Sequence, residues 1–79
     1  MTHELKTWPE FYHAILQGRK TFEVRKADRD FAVGDQLLLR EWDQIAGRYT
    51  GRKAMWKITY IMHGGDFGIQ PGYCVLGIV

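Results

Sequence analysis

One glycine divides this chain into two kinds of sequence. Ahead of Gly18 lies the only segment with helical periodicity; after it, every apolar run is short and bounded by turn residues. Trp8, Phe11, Tyr12, Ile15 and Leu16 recur at i, i+3, i+4, i+7 and i+8, which predicts one helix from Trp8 to Gln17 with a single apolar face. Thr7 and Glu10 have the spacing of a capping box, and Pro9 falls in the first turn, where its missing N–H costs nothing. Gly18 supplies the left-handed stop. A chain with one such helix is restricted to a mainly β architecture.

The strands follow from alternation and turns. Thr21 to Lys26 alternates, with Phe22 and Val24 on one face and Thr21, Glu23 and Arg25 on the other. Asp28 to Asp35 reads as a loop closing in the turn Val33-Gly34-Asp35. Gln36 to Trp42 is the next strand, Asp43 to Gly47 a hairpin loop, and Arg52 to Met62 a long strand with Ala54, Trp56, Ile58, Tyr60 and Met62 on a shared face. His63 to Gly72 holds four glycines and Pro71, so it is expected to be irregular, either a flexible lid or a plain connection. Tyr73 to Val79 is a final strand, and His3 to Lys6 adds another. The expectation is a single α+β, mainly β domain over residues 1–79. Its strands would form a small closed or nearly closed barrel, with the N-terminal helix packed at one opening.

No disulfide can staple this fold, because Cys74 is the only cysteine. Stability must come from a core, and 46% hydrophobic residues with three Trp, four Tyr and four Phe are enough to build one. Cys74, within Tyr73-Cys74-Val75-Leu76, reads as a small core hydrophobe, and a reducing, cytoplasmic setting is expected. The opening residues lack the apolar core of a signal peptide, and no run approaches the ~20 apolar residues of a membrane span. Net charge is only +2, so the placement of charge matters more than its sum.

That placement is uneven. In an extended strand Glu23 and Arg25 point the same way, about 7 Å apart, with Lys20 at the helix-to-strand junction beside them. An acid between two cations can fix both in position, or exchange a proton in a dry site; on an open strand face it is an ordinary surface ion pair. Arg19, Lys20, Arg25, Lys26 and Arg29 concentrate positive charge suited to phosphates, unless Glu23, Asp28 and Asp30 neutralise it locally. Arg48, Arg52, Lys53 and Lys57 form a second basic group on or near the long strand. Trp8, Trp42, Trp56, Tyr60 and Tyr73 could stack on a base. Trp8 and Trp56 share faces with apolar neighbours and read as core. Trp42, at a strand end after Arg40 and Glu41, is the better stacking candidate, and Tyr73 borders the glycine loop and fits either role. His3, His13 and His63 are scattered and match no metal-ligand spacing, with His13 on the polar side of the helix. Gly64-Gly65-Asp66-Phe67-Gly68 lacks the ending of a phosphate-binding loop, so no cofactor is expected.

Gly18, Lys20, Glu23 and Arg25 fit the pattern G-x-K-x-x-E-x-R, which resembles the signature of the ASCH domain in the PUA-like superfamily. The preceding helix, the Val33-Gly34-Asp35 turn and the string of strands extend the likeness. Leu5-Lys6 with Trp8-Pro9, and Asp28-Arg29-Asp30-Phe31, are similar to a compact ASCH-like group of bacteria and phages. The resemblance implies a PUA-like barrel with a cleft between helix and barrel that receives RNA or a modified nucleoside. Some ASCH-like proteins hydrolyse N4-acetylcytidine with the junction Lys, a Thr at the position of Glu23 and a later Glu. Here Glu23 stands in place of the Thr, and the region after Met62 contains no Glu, Asp66 being its only acid.

Three functions are thus in view. The first is an RNA- or nucleotide-binding module with Lys20, Glu23, Arg25, Lys26, Arg29 and Trp42 at the ligand. The second is a small amidohydrolase on an acylated nucleoside with Lys20, Glu23 and Arg25 as its catalytic group. The third is a protein-interaction domain without a ligand cleft.

Overall fold

The computed structural model describes residues 1–79. In chain order it contains β1 (Thr2–Thr7), α1 (Pro9–Leu16), β2 (Phe22–Lys26), β3 (Gln36–Asp43), β4 (Arg48–His63) and β5 (Tyr73–Ile78). The five strands form one sheet in the order β1-β3-β4-β5-β2, mainly antiparallel, with β1 and β3 parallel. The mainly β, α+β class anticipated from the alternating runs is the one observed. No helix is long and apolar enough to cross a membrane.

β4 organises the sheet because its two halves have different partners. Residues 48–57 pair with β3 and residues 58–63 with β5. Inward-facing residues from both halves meet in one core of Leu5, Tyr12, Ile15, Leu37, Leu39, Ile58, Cys74, Leu76 and Ile78, with Phe31, Trp56 and Ile61 packed against it. Each fully buried aliphatic side chain contributes roughly 1.5–3 kcal/mol. Cys74 is one of the core hydrophobes, and burial pushes its thiol above the ordinary range, with Asp28 adding to the shift.

The sheet does not close. β1 and β2 lie at its two edges and share no backbone ladder. Their approach is bridged by a side chain instead: Arg25 on β2 donates from Nη2 to the Lys6 carbonyl oxygen at 2.7 Å and to Thr7 Oγ1 at 3.3 Å on β1. The expected barrel is therefore an open sheet with a seam between its edge strands, spanned by the Arg25 side chain.

That gap reverses the expected facing of β2. Glu23 is only 3% exposed, while Phe22 and Val24, read as its buried face, are 43% and 54% exposed. A charged side chain tolerates the interior when counter-charges meet it there, and two do. The helix differs in a related way. It buries Tyr12 and Ile15, leaving Trp8, Phe11 and Leu16 partly exposed, so Trp8 is no core residue. Trp8 itself is the N-cap and makes no side-chain cap bond; Thr7 cannot cap because it is the last, buried residue of β1. Gly18 does stop the helix, at φ 74°.

Two further departures are local. A register shift between Ile58 and Tyr60 turns Tyr60 and Met62 outward and brings Ile61 toward the core, which breaks the single face expected of the long strand. The glycine-rich connection is pinned rather than lid-like. Gly64 and Gly65 donate to the carbonyls of Tyr73 and Ile69 at 2.7 and 2.8 Å, and a Cβ on Gly64 would sit 2.1 Å from the Gln70 carbonyl oxygen.

Candidate functional site

The seam between β1 and β2, overhung by the start of α1, forms an open cavity of about 440 Å³. Its polar side is built by the turn after Gly18 and by β2. Lys20 Nζ donates to Glu23 Oε1 at 2.8 Å and to the Phe22 carbonyl oxygen at 2.7 Å. Arg25 Nε donates to Glu23 Oε2 at 2.8 Å, with Nη2 2.6 Å from the same oxygen. Both oxygens of a buried carboxylate are thus held by two cations, so the cluster carries one net positive charge at the cavity wall. Ion pairs taken this far out of water hold their geometry because separating them would strand a buried charge.

The apolar side comes from α1 and β2. Trp8 and Phe11 lie nearly parallel, 17° apart with centroids at 6.1 Å, and Phe22 and Val24 complete the wall. Lys20 Nζ stands 4.8 Å from the Phe22 ring centroid and 5.4 Å from that of Phe11. Lys6 and Thr7 close the cavity on the β1 side. Flat apolar walls beside fixed cations can receive a planar ring and an attached anion together.

Of the residues singled out in the sequence, Lys20, Glu23 and Arg25 meet in this cavity. Lys26 and Arg29 do not; with Arg25 they line a second, smaller cavity of about 120 Å³ on the other side of the Arg25 bridge. Arg29 is 3.8 Å from Asp28 and lies over the Phe31 ring at 5.9 Å. Trp42 belongs to neither cavity. It packs edge-on against Tyr49 beneath the ammonium of Lys6, 3.9 Å from its ring centroid. Trp8, for which the sequence favours core over stacking, lines the cavity, as do Phe11, Lys6 and Thr7, which the sequence pattern did not nominate. Their signal is Trp8-Pro9 directly after a strand whose inward positions are His3, Leu5 and Thr7, which leaves Trp8 out of the core face.

Two histidines stand against carboxylates shielded from solvent. His3, buried beside Phe31, lies 2.8 Å from Asp35 Oδ2. That bond is the first cause holding the Asp35 carboxyl below its usual range, aided by the Met1 ammonium and the Ala32 amide and opposed by desolvation. His13 is not simply solvated: its Nε2 is 3.0 Å from Oε2 of the buried Glu41, without the alignment of a hydrogen bond, while Thr50 donates to Oε1 at 2.6 Å. Burial raises the neighbouring Tyr12 phenol, Glu41 adding to the effect and Arg52 opposing it. No three His, Cys, Asp or Glu side chains are grouped to hold a metal ion.

A family model described as "Domain of unknown function (DUF3850)" matches residues 2–78. The chain is also 40% identical over 65 residues to the "uncharacterized 12.9 kDa protein in GpA 3'region" of Escherichia phage P2. The matched region is 82% of this chain and 58% of that protein, so the chain spans little more than half of the relative's length.

Proposed function

The chain belongs to the DUF3850 family, and from the geometry of its seam we propose that it is a small RNA- or nucleotide-binding module. The observation that carries this reading is the convergence of Lys20, Glu23 and Arg25 on a cavity walled by Trp8, Phe11 and Phe22. A base stacks on the aromatic wall, where such contacts are worth roughly 1–3 kcal/mol each. Its phosphate meets the ammonium of Lys20 and the guanidinium of Arg25, and Glu23 sets the spacing of those two groups. The smaller cavity beyond Arg25 offers Lys26 and Arg29 to a neighbouring phosphate. The G-x-K-x-x-E-x-R pattern supports placing the protein among ASCH-like, PUA-like domains, and the free thiol of Cys74 suits a reducing cytoplasm.

Titration of the 15N-labelled protein with short RNA oligomers at low salt tests the proposal. Amide shifts are expected at residues 6–8 and 20–25 and are to be lost in Lys20→Ala; unmoved amides throughout that region overturn it. Hydrolysis of an acylated nucleoside asks more of the same residues. Both Glu23 oxygens are engaged by cations, which leaves no free base in the cluster. Turnover of N4-acetylcytidine by the wild type, abolished in Lys20→Ala and Glu23→Ala, would establish the enzyme instead. A pure protein-interaction role sits less well with a cavity beside Lys20.

A further inference from the structure

The outer face of the β1-β3-β4 half of the sheet carries cations in an arrangement that works against folding. Lys6 is registered against Arg40, and Arg40 against Lys53, so three positive side chains form one rung across three strands. With strands about 4.8 Å apart, the rung is only about 10 Å wide. Like charges directly opposite each other in a sheet are destabilising. Lys57 lies on the same face two rungs along, opposite Gln36. Among the outward positions of these rungs the only carboxylate is Glu4, and it is held by Arg40 at 2.7 Å.

Two of the cations on this face are also ordered. Arg40 lies over the Tyr49 ring, 3.7 Å from its centroid, and Lys6 over Trp42 at 3.9 Å. Stacking of this kind fixes long side chains that would otherwise lose conformational freedom on meeting a partner. Lys6 belongs to both surfaces, because it also lines the seam cavity.

We propose that this face is a track for the phosphate backbone of a single-stranded nucleic acid running outward from the seam cavity. The phosphates next to the captured nucleotide cross the Lys6–Arg40–Lys53 rung and continue toward Lys57. The charge of such a strand relieves the repulsion built into the rung, and its phosphates meet Lys6 and Arg40 already held over Trp42 and Tyr49, with the exposed Lys53 and Lys57 beyond them. This inference rests on the nucleotide reading of the cavity and assigns it a polymeric ligand.

The test compares uridine 5′-monophosphate with a fluorescein-labelled 12-nucleotide oligouridylate, for the wild type and for Lys53→Gln/Lys57→Gln, whose side chains are exposed and outside the cavity. A second double variant, Arg19→Gln/Arg52→Gln, removes the same charge elsewhere. The track requires the first variant to bind the 12-mer about tenfold more weakly at low salt. Its log K against log salt slope should be shallower by about 1.4. Monophosphate binding should stay unchanged. Equal weakening by both double variants overturns the track. So does absence of 12-mer binding, including a protein that sediments only with phosphatidylserine vesicles. Binding of the 12-mer that depends on Lys53 and Lys57, with no monophosphate binding, keeps the track and overturns the reading of the cavity.

Discussion

Arg25 Nη2 and the Lys6 carbonyl oxygen stand 2.7 Å apart, and this bond links the two edges of a sheet whose edge strands share no ladder. The same guanidinium holds Glu23, so its loss opens the seam and leaves a buried acid with Lys20 as its one remaining cation. Arg25→Ala is expected to lower stability by about 2–3 kcal/mol in urea unfolding. Backbone amides of β1 and β2 should exchange faster while those of β3 do not. Arg25→Lys restores only part of the loss, because a single ammonium cannot reach Glu23, Thr7 and the Lys6 carbonyl at once.

Removing the acid separates stability from affinity. Glu23→Gln keeps the shape of the side chain but leaves Lys20 and Arg25 facing each other without their counter-charge. Stability should fall by about 3 kcal/mol. Affinity for a nucleoside monophosphate should rise, since the cavity wall then carries one more net positive charge. Calorimetric titration beside a denaturation curve reads both; a parallel fall in affinity would show that the spacing Glu23 sets matters more to binding than the charge it offsets.

The aromatic wall makes the reverse prediction. Trp8 is 50% exposed and makes no side-chain cap bond, so Trp8→Ala should cost under about 1 kcal/mol of stability. Loss of a stacking platform should weaken nucleotide binding by about 1–3 kcal/mol. Trp8 fluorescence, compared between the wild type and this variant, reports ligand entry directly.

These residues also show what the sequence could and could not reveal. The helix before Gly18 and the strands after it follow from local periodicity and glycine turns, and Lys20, Glu23 and Arg25 stood out because they are close in sequence. The facing of β2 was hidden. Alternation defines two faces, and the apolar pair Phe22 and Val24 would normally be the inner one. The choice was reversed by groups remote in sequence, Lys6 and Thr7, which give Arg25 its partners. The Glu41–His13 pair was equally illegible, since only tertiary packing of α1 on β3 brings those side chains together. Trp42 was nominated by its place at a strand end, but only sheet register shows that Lys6 covers it.

Asp35 supplies the pH dependence. Its carboxylate accepts from His3, the Ala32 amide and the Met1 ammonium, tying β1, the preceding loop and the start of β3 together. The native state holds its pKa below the ordinary carboxylate value of about 3.9. In acid the unfolded chain therefore binds a proton that the native state resists, and stability falls as pH drops. The contribution is complete above that ordinary value and is lost as pH falls below it, through the lowered native pKa. Thermal melts of the wild type and Asp35→Asn should differ in full above about pH 5 and converge toward pH 2. A difference independent of pH would assign the effect to packing alone.

A closed barrel has an interior fixed by strand number and shear, and changing its bore means re-registering every strand. Here the bore is set at one line, by whichever side chain spans from β2 to Lys6 and Thr7. Exchanging that one residue for a shorter or longer one would resize the aperture while every hydrogen-bonded ladder stays in register. The unclosed seam makes ligand size a trait that single substitutions can retune.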